Sequence, residues 1–478
     1  MLRRLATISL LLVVVGSYGL SQAKPGGIAR QISLGGSNLG LGVVMNPFVV
    51  DDPSRILLNP AQQSKYRNYF WWNVGGGTLN GLSSGDNGYG NQNVGVSFGI
   101  GSNFTLGAIL SYDPSAMSQV SNTLQGQAAM TIGGITIPAI PSFVPNTFRG
   151  AGVTGAQSIP SLGNVFEILG AYSMSGLDLG FGIMYGDASN TTTTNPAPNQ
   201  STETEASARM FGFTAGMNLD LGAGSSLAAS AALRLDKATD KVGLNPPVTG
   251  QGGEYSASGT EIAVDARMRL RMSNRVNFVP YAGVLSVSAE PTEDSPLQGA
   301  APRTDSRTYS VLALGVGAGA EYHTSTFYLA GGVSYQTARM KAEFNQATPP
   351  GSVTQTYTYS AIPVFNLGAE WWFTEWLAGR GGYYRSARKA NVKGETSGGG
   401  TSTSTETSQP LPNSAIMVGG INPTNYDGLV TLGIGLRFGG FSLDATVSEE
   451  ALRRGLGLLG SADNLNSFGY ITTSYSFD

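Results

Sequence analysis

The chain of 478 residues contains no cysteine and one histidine, His323. Without cysteine there is no disulfide framework and no acceptor for a lipoprotein anchor. With a single histidine as well, a zinc site of the Cys/His kind is excluded. Charge is also sparse, since Asp, Glu, Lys and Arg make up 12% of the residues and the formal net charge is -3, so no basic surface exists for nucleic acid. Beyond residue 23 no apolar run approaches the ~20 residues of a membrane-spanning helix. Glycine-rich runs such as GIGLRFGG lack the following helix of a dinucleotide-binding loop. No nucleophile stands beside a base, and His323 falls at a predicted tight turn. The sequence therefore predicts neither an enzyme nor a bound metal or cofactor.

What the chain has is a leader and a repeating pattern. The stretch MLRRLATISLLLVVVGSYGLSQA opens with Arg3 and Arg4, continues through an apolar run to Val15, and ends on Ser21 and Ala23, as an export signal does. Glycine supplies 67 residues without a G-X-Y period. Many segments alternate with period two. In LDLGFGIMYG, Leu177, Leu179, Phe181, Ile183 and Tyr185 fall on one face, and Asp178, Gly180, Gly182 and Gly186 on the other. The same alternation recurs in NVGVSFGI, YDGLVTLGIGLRF and FSLDATV.

Connection lengths separate a membrane barrel from a sandwich. Tight turns fall at 101–103, 175–176, 223–226, 273–274, near 325, at 374–375 and at 439–440. Between them lie long polar stretches at 78–91, 114–161, 188–204, 240–254, 291–305, 341–352, 391–424 and 448–466. Short turns on one side and long loops on the other are the habit of outer-membrane barrels, whose strands need only ~9–11 residues each. Seven turns give fourteen strands, and residues 66–76 and the C-terminal stretch add one each, so the expected fold is an all-β, transmembrane antiparallel β-barrel of 16 strands, with 14 as the alternative. Phe104, Leu177 and Phe327 each precede a tyrosine by eight residues (Tyr112, Tyr185, Tyr335), a spacing of ~26 Å along a strand. Trp371, Trp372 and Trp376 flank a tight turn and suit an aromatic girdle. The terminal FGYITTSYSFD should turn Ile471, Tyr475 and Phe477 to lipid and close on the first strand. It is similar to the signal read by the outer-membrane assembly machinery, although Asp478 follows the aromatic.

The parity opposite to the apolar one should face the interior. In VDARMRLRM that parity carries Asp265, Arg267, Arg269 and Arg271. Arg234, Glu321, Glu370, Arg380 and Arg437 join them on other strands. Two roles stay open for this row, a salt-bridged brace or an ion-selective lining. The loops 190–205 and 396–409 are low in complexity and expected to be mobile. Residues 448–464 can form a short helix with Leu452, Leu456 and Leu459 on one face, either as a lid or packed on neighbouring loops.

The chain then divides into a signal peptide (1–23), an N-terminal plug segment (24–65) and the barrel (66–478). The plug segment holds DDPSRILLNPAQ, residues 51–62. Here the sequence resembles outer-membrane transporters of the FadL type, which serve long-chain fatty acids and aromatic hydrocarbons, and the related PorV-type barrels of type IX secretion. In that pattern Asp-Asp-x-Ser is followed after four residues by Asn-Pro-Ala, matched by Asp51, Asp52, Ser54, Asn59, Pro60 and Ala61, with Gln62 in place of the usual Gly. From the residues alone, Asn59-Pro60 should form a tight turn that returns the chain to the wall. The resemblance implies a bacterial outer-membrane location, a gating role for these residues, and passive passage of a small hydrophobic solute through a plugged barrel, although of fourteen strands. Two alternatives are an envelope assembly or secretion component of the PorV kind and a general porin with a charged lumen.

Overall fold

The computed structural model describes residues 26–38, 44–75, 92–113, 130–132, 135–137, 160, 162–197, 200–249, 251–296, 304–346, 351–398, 401–410, 428–447 and 468–477. The leader and the 448–464 segment lie outside the described residues. The barrel strands are β1 (Tyr69–Gly75), β2 (Asn93–Ile100), β3 (Phe104–Asp113), β4 (Leu162–Met174), β5 (Leu177–Ala197), β6 (Gln200–Gly222), β7 (Ser225–Asn245) and β8 (Gly253–Arg271). They continue as β9 (Val276–Ser295), β10 (Ser306–His323), β11 (Phe327–Gln346), β12 (Gly351–Trp372), β13 (Leu377–Gly398), β14 (Gly428–Phe438), β15 (Phe441–Val447) and β16 (Phe468–Ser476). Each pairs antiparallel with its sequence neighbour, and β16 pairs with β1 through Tyr470↔Gly75 to Ser476↔Tyr69. The sheet is a closed barrel of 16 strands. One further strand, Thr401–Pro410, pairs with the outer part of β13 and stands outside the ring.

Closure follows from the solvent. In hydrocarbon an open sheet edge leaves N–H and C=O groups without water, at several kcal/mol each. Apolar side chains occupy the outer face: Leu179, Phe181, Ile183 and Tyr185 on β5, Phe211 and Phe213 on β6, Leu312, Leu314 and Val316 on β10, and Phe365 and Leu367 on β12 are all exposed. On β5 this band runs from Leu177 to Tyr185 and ends at Asp187. Trp371, Phe373 and Trp376 are exposed at the tight-turn end. Trp372 departs from the expected girdle, because its parity is that of Glu370 and its ring lies 4.3 Å under the Arg437 guanidinium.

The tight turns fall where the spacing predicts, but in five of the expected loops the described residues are mostly strand. β5 and β6 pair through Thr202↔Thr194 and Gln200↔Ala197, β7 runs to Asn245, β9 to Ser295, β11 to Gln346 and β13 to Gly398. The physical reason is a reversal of phase. Above the lipid-facing band the apolar residues move to the inner parity: Ala206, Ala208 and Met210 on β6, Leu285, Val287 and Ala289 on β9, Tyr309, Val311 and Ala313 on β10 are buried. Their outward neighbours are Ser207 and Arg209, Ser286 and Ser288, Thr308 and Ser310. Where water rather than oil lies outside, the inner face becomes the dry one. Paired threonines such as Thr191–Thr194 suit extended backbone, so low complexity there did not mean a loop.

Candidate functional site

Residues 26–38 and 44–66 lie against the inner parity of the wall, toward the tight-turn end. Their contacts reach round the whole ring. The helix α1 (Ile28–Ser33) is buried on every side. Its first backbone N–H groups, which no helix satisfies internally, are met by side chains. Gly26 donates to Asp444 Oδ2 (3.1 Å), Gly27 to Asp52 Oδ1 (3.0 Å), Ile28 to Asn73 Oδ1 (3.2 Å) and Ala29 to Thr472 Oγ1 (3.1 Å). Further on, Thr431 Oγ1 donates to Ser33 O (3.2 Å) and Asn366 Nδ2 to Gly35 O (2.7 Å). The wall offers glycine where the backbones come closest: a Cβ at Gly382 would lie 2.1 Å from Gly35 N, and one at Gly180 2.1 Å from Ala61 N.

An ionic ladder ties α1 to the wall. Arg30 pairs with Asp52 (3.0 Å) and with Glu370 on β12 (2.9 Å). Glu370 also holds Arg380 on β13 (2.5 Å), which reaches Asp444 on β15 (2.6 Å). All five side chains are almost wholly buried. Burial by itself would lower the Arg30 pKa, but Glu370 and Asp52 outweigh it and hold the guanidinium well above its ordinary value.

The DDPSRILLNPAQ stretch forms two short 3₁₀ turns, Pro53–Leu57 and Pro60–Lys65. Asp52 caps the first by accepting from Ser54 N (2.9 Å) and Ser54 Oγ (2.5 Å). Asn59 caps the second by accepting from Ala61 N (2.9 Å), while its Nδ2 donates to Met217 O and Ala229 O on β6 and β7 (both 3.2 Å). Instead of a turn that reverses the chain, Asn59-Pro60 starts a helical turn pinned to the wall, because Pro suits the first position after a cap. Gln62, the departure from the family pattern, donates to Asn218 Oδ1 (2.7 Å). Asp51 receives Arg269 Nη1 (2.8 Å), and Arg269 also lies 3.4 Å from Glu321.

The structure thus gathers Asp51, Asp52, Ser54, Arg267, Arg269, Glu321, Glu370 and Arg380 at one junction and sets Asn59, Pro60 and Ala61 against β5, β6 and β7. Other sites fall elsewhere. Arg234 pairs with Glu261 (3.3 Å), and Arg271 is exposed at the turn beside Asn274 (2.6 Å). Arg437 stacks on Trp372, while Asp265 belongs to the junction, near Arg55 and Arg267. Sequence reasoning missed Arg30 and Arg55, since the segment that carries them has no alternation to assign a facing. Two arginines in an otherwise neutral stretch close to DDPS were the available signal.

Fold and site define a transmembrane β-barrel of the outer-membrane type, its interior crossed by its own N-terminal segment. No protein-family model matches the sequence, and no curated protein does. Among solved structures, the chain is similar to the toluene transporter TodX of Pseudomonas putida at 10% identity and a TM-score of 0.35, covering 96% of this chain and 100% of that one. It is similar also to the ferric-catecholate import receptor Fiu of E. coli K12 (10% identity, TM-score 0.31, 86% and 81% covered). The FrpB iron transporter of Neisseria meningitidis is a third (11%, TM-score 0.30, 81% and 70% covered). At this level of similarity they do not discriminate between cargoes.

Proposed function

We propose that the protein is a bacterial outer-membrane conduit through which small hydrophobic solutes of the fatty acid or hydrocarbon class pass without an energy source, with residues 24–65 as the plug. The observation that carries this is the apolar inner face of the outer half. Met184, Met210, Tyr255, Leu285, Val287, Val311, Met340 and Val392 belong to one buried cluster on the inner parity of the tall strands. A polar solute would lose its hydration against such a surface and regain no hydrogen bond, whereas an apolar one gains ~25 cal/mol per Å² removed from water. On the same reading the outer face is bathed by outer-membrane lipid, and the C-terminal strand β16 is what the outer-membrane assembly machinery engages. The test is flux into liposomes. The full chain should admit labelled dodecanoate or toluene at least tenfold faster than glucose, and Met210→Asp with Val287→Asp should remove the difference. Equal rates for glucose would favour a general porin and end the proposal.

A further inference from the structure

The arginines at the junction are not equally partnered. Arg30, Arg380 and Arg269 each hold two carboxylates. Among the described residues, Arg55 and Arg267 form no ion pair, although they are only 4% and 5% exposed. The two guanidinium groups converge on one carbonyl: Arg55 Nη2 donates to Val49 O at 2.9 Å, and Arg267 Nη1 to the same oxygen at 3.3 Å. Arg55 Nη2 also reaches Asn46 O (3.0 Å). The Nε and Nη1 of Arg55 and the Nε of Arg267 are buried and have no hydrogen-bond partner in the protein. Asp265, two residues before Arg267 on β8, lies near both arginines, and its Oδ2 is likewise without a partner, whereas Asp52 near Arg55 and Glu321 near Arg267 are held by Arg30 and Arg269. Buried N–H groups without an acceptor are costly, and buried like charges that share one acceptor repel. Burial first, and then the neighbouring Arg267, lowers the Arg55 pKa to about 9.

We infer that Arg55 and Arg267 form a site for one small monoanion, a carboxylate or a group of that size and charge, at the seam between the N-terminal segment and β8. The planar forks present several N–H groups that a carboxylate's two oxygens can accept together. An occupant would tie Arg55 of the segment to Arg267 of the wall, so the site is also a clasp. Its existence does not rest on the transport proposal. The anion has two possible sources, a free anion of the medium or the terminal carboxylate of a solute that has come down the apolar lumen.

The experiment is calorimetric titration of the full chain, in detergent and in buffer free of halide and carboxylate, with sodium acetate, sodium dodecanoate and uncharged dodecanol. One saturable site should appear for acetate. Affinity should fall at least tenfold in Arg55→Met and in Arg267→Met. Asp265→Asn removes the carboxylate that lies near both arginines and leaves the two guanidinium groups in place, so it should bind acetate several-fold more tightly. Crystals grown in bromide should show an anomalous peak between the two guanidinium groups. If dodecanoate competes with acetate and binds more than tenfold tighter while dodecanol does not compete, the site reads the solute's carboxylate. If the two anions bind alike, it is a free-anion site, and either result supports it. Absence of saturable acetate binding to the unsubstituted chain, or an affinity unmoved by all three substitutions, overturns the inference. Because no flux is measured, these outcomes are separate from those that decide transport.

Discussion

Glu370 shows what one residue can hold. It contacts Arg30 of the N-terminal segment at 2.9 Å and Arg380 of the wall at 2.5 Å, out of reach of water. Breaking a buried pair from one side costs about 3–5 kcal/mol, because the remaining charge stays buried. Each arginine keeps a second carboxylate here, Asp52 and Asp444, so Glu370→Gln should destabilise by about 3 kcal/mol, the lower end of that range. Urea unfolding in lipid vesicles would measure it. The coupling is the sharper test: Glu370→Gln combined with Arg380→Met should cost less than the two single changes added, by about 1 kcal/mol or more. Simple additivity would mean that the ladder is a set of independent contacts. At this scale the sequence marked Glu370 and Arg380 as inward by parity. It could not mark Arg30, because inward and outward have no meaning for a segment that lies inside the ring.

At the scale of the strand, period two was legible wherever a single solvent lay outside. Leu179, Phe181 and Ile183 were assigned to the outer face and are exposed there. The outer halves were misread as loops because alternation continues while its sense changes: Val284 faces out on β9, but Leu285, Val287 and Ala289 face in and Ser286 and Ser288 out. A search for apolar-outward segments loses the strand at that point. This reversal makes a prediction about depth. Phe181 and Ser189 share the outer parity of β5 and are both exposed, but only Phe181 lies in the apolar band. Phe181→Arg should destabilise by about 2–4 kcal/mol, as a charge on the lipid face does near the midplane. Ser189→Arg should stay within about 0.5 kcal/mol, as a surface change in water does. Urea midpoints of the two variants in the same vesicles would check this, and equal losses would mean that the lipid boundary does not fall near Asp187.

For the molecule as a whole, turn spacing gave sixteen strands and the closing pair because tight turns are local features with their own residues. What no spacing could give is that residues 26–38 and 44–66 reach round the inner wall, a set of contacts such as Asn59 to Ala229 and Ala29 to Thr472 that only closure brings together. That arrangement changes the meaning of the charged row on β8. Arg267 donates to Val49 O, and Arg269 is held between Asp51 and Glu321, so in the intact protein these side chains are occupied by the segment and do not line an open aqueous path. Charges steer permeating ions only where they border the open aqueous path within about a Debye length, ~8 Å at physiological salt. Arg267→Ala with Arg269→Ala should therefore leave the reversal potential of the full chain in planar bilayers unchanged. In a chain lacking residues 24–65 the same arginines become hydrated, conductance should rise several-fold, and the double substitution should shift the preference toward cations. A shift of equal size in the full chain would show that ions already pass these arginines with the segment in place, and the brace would have to be read as a selectivity ring.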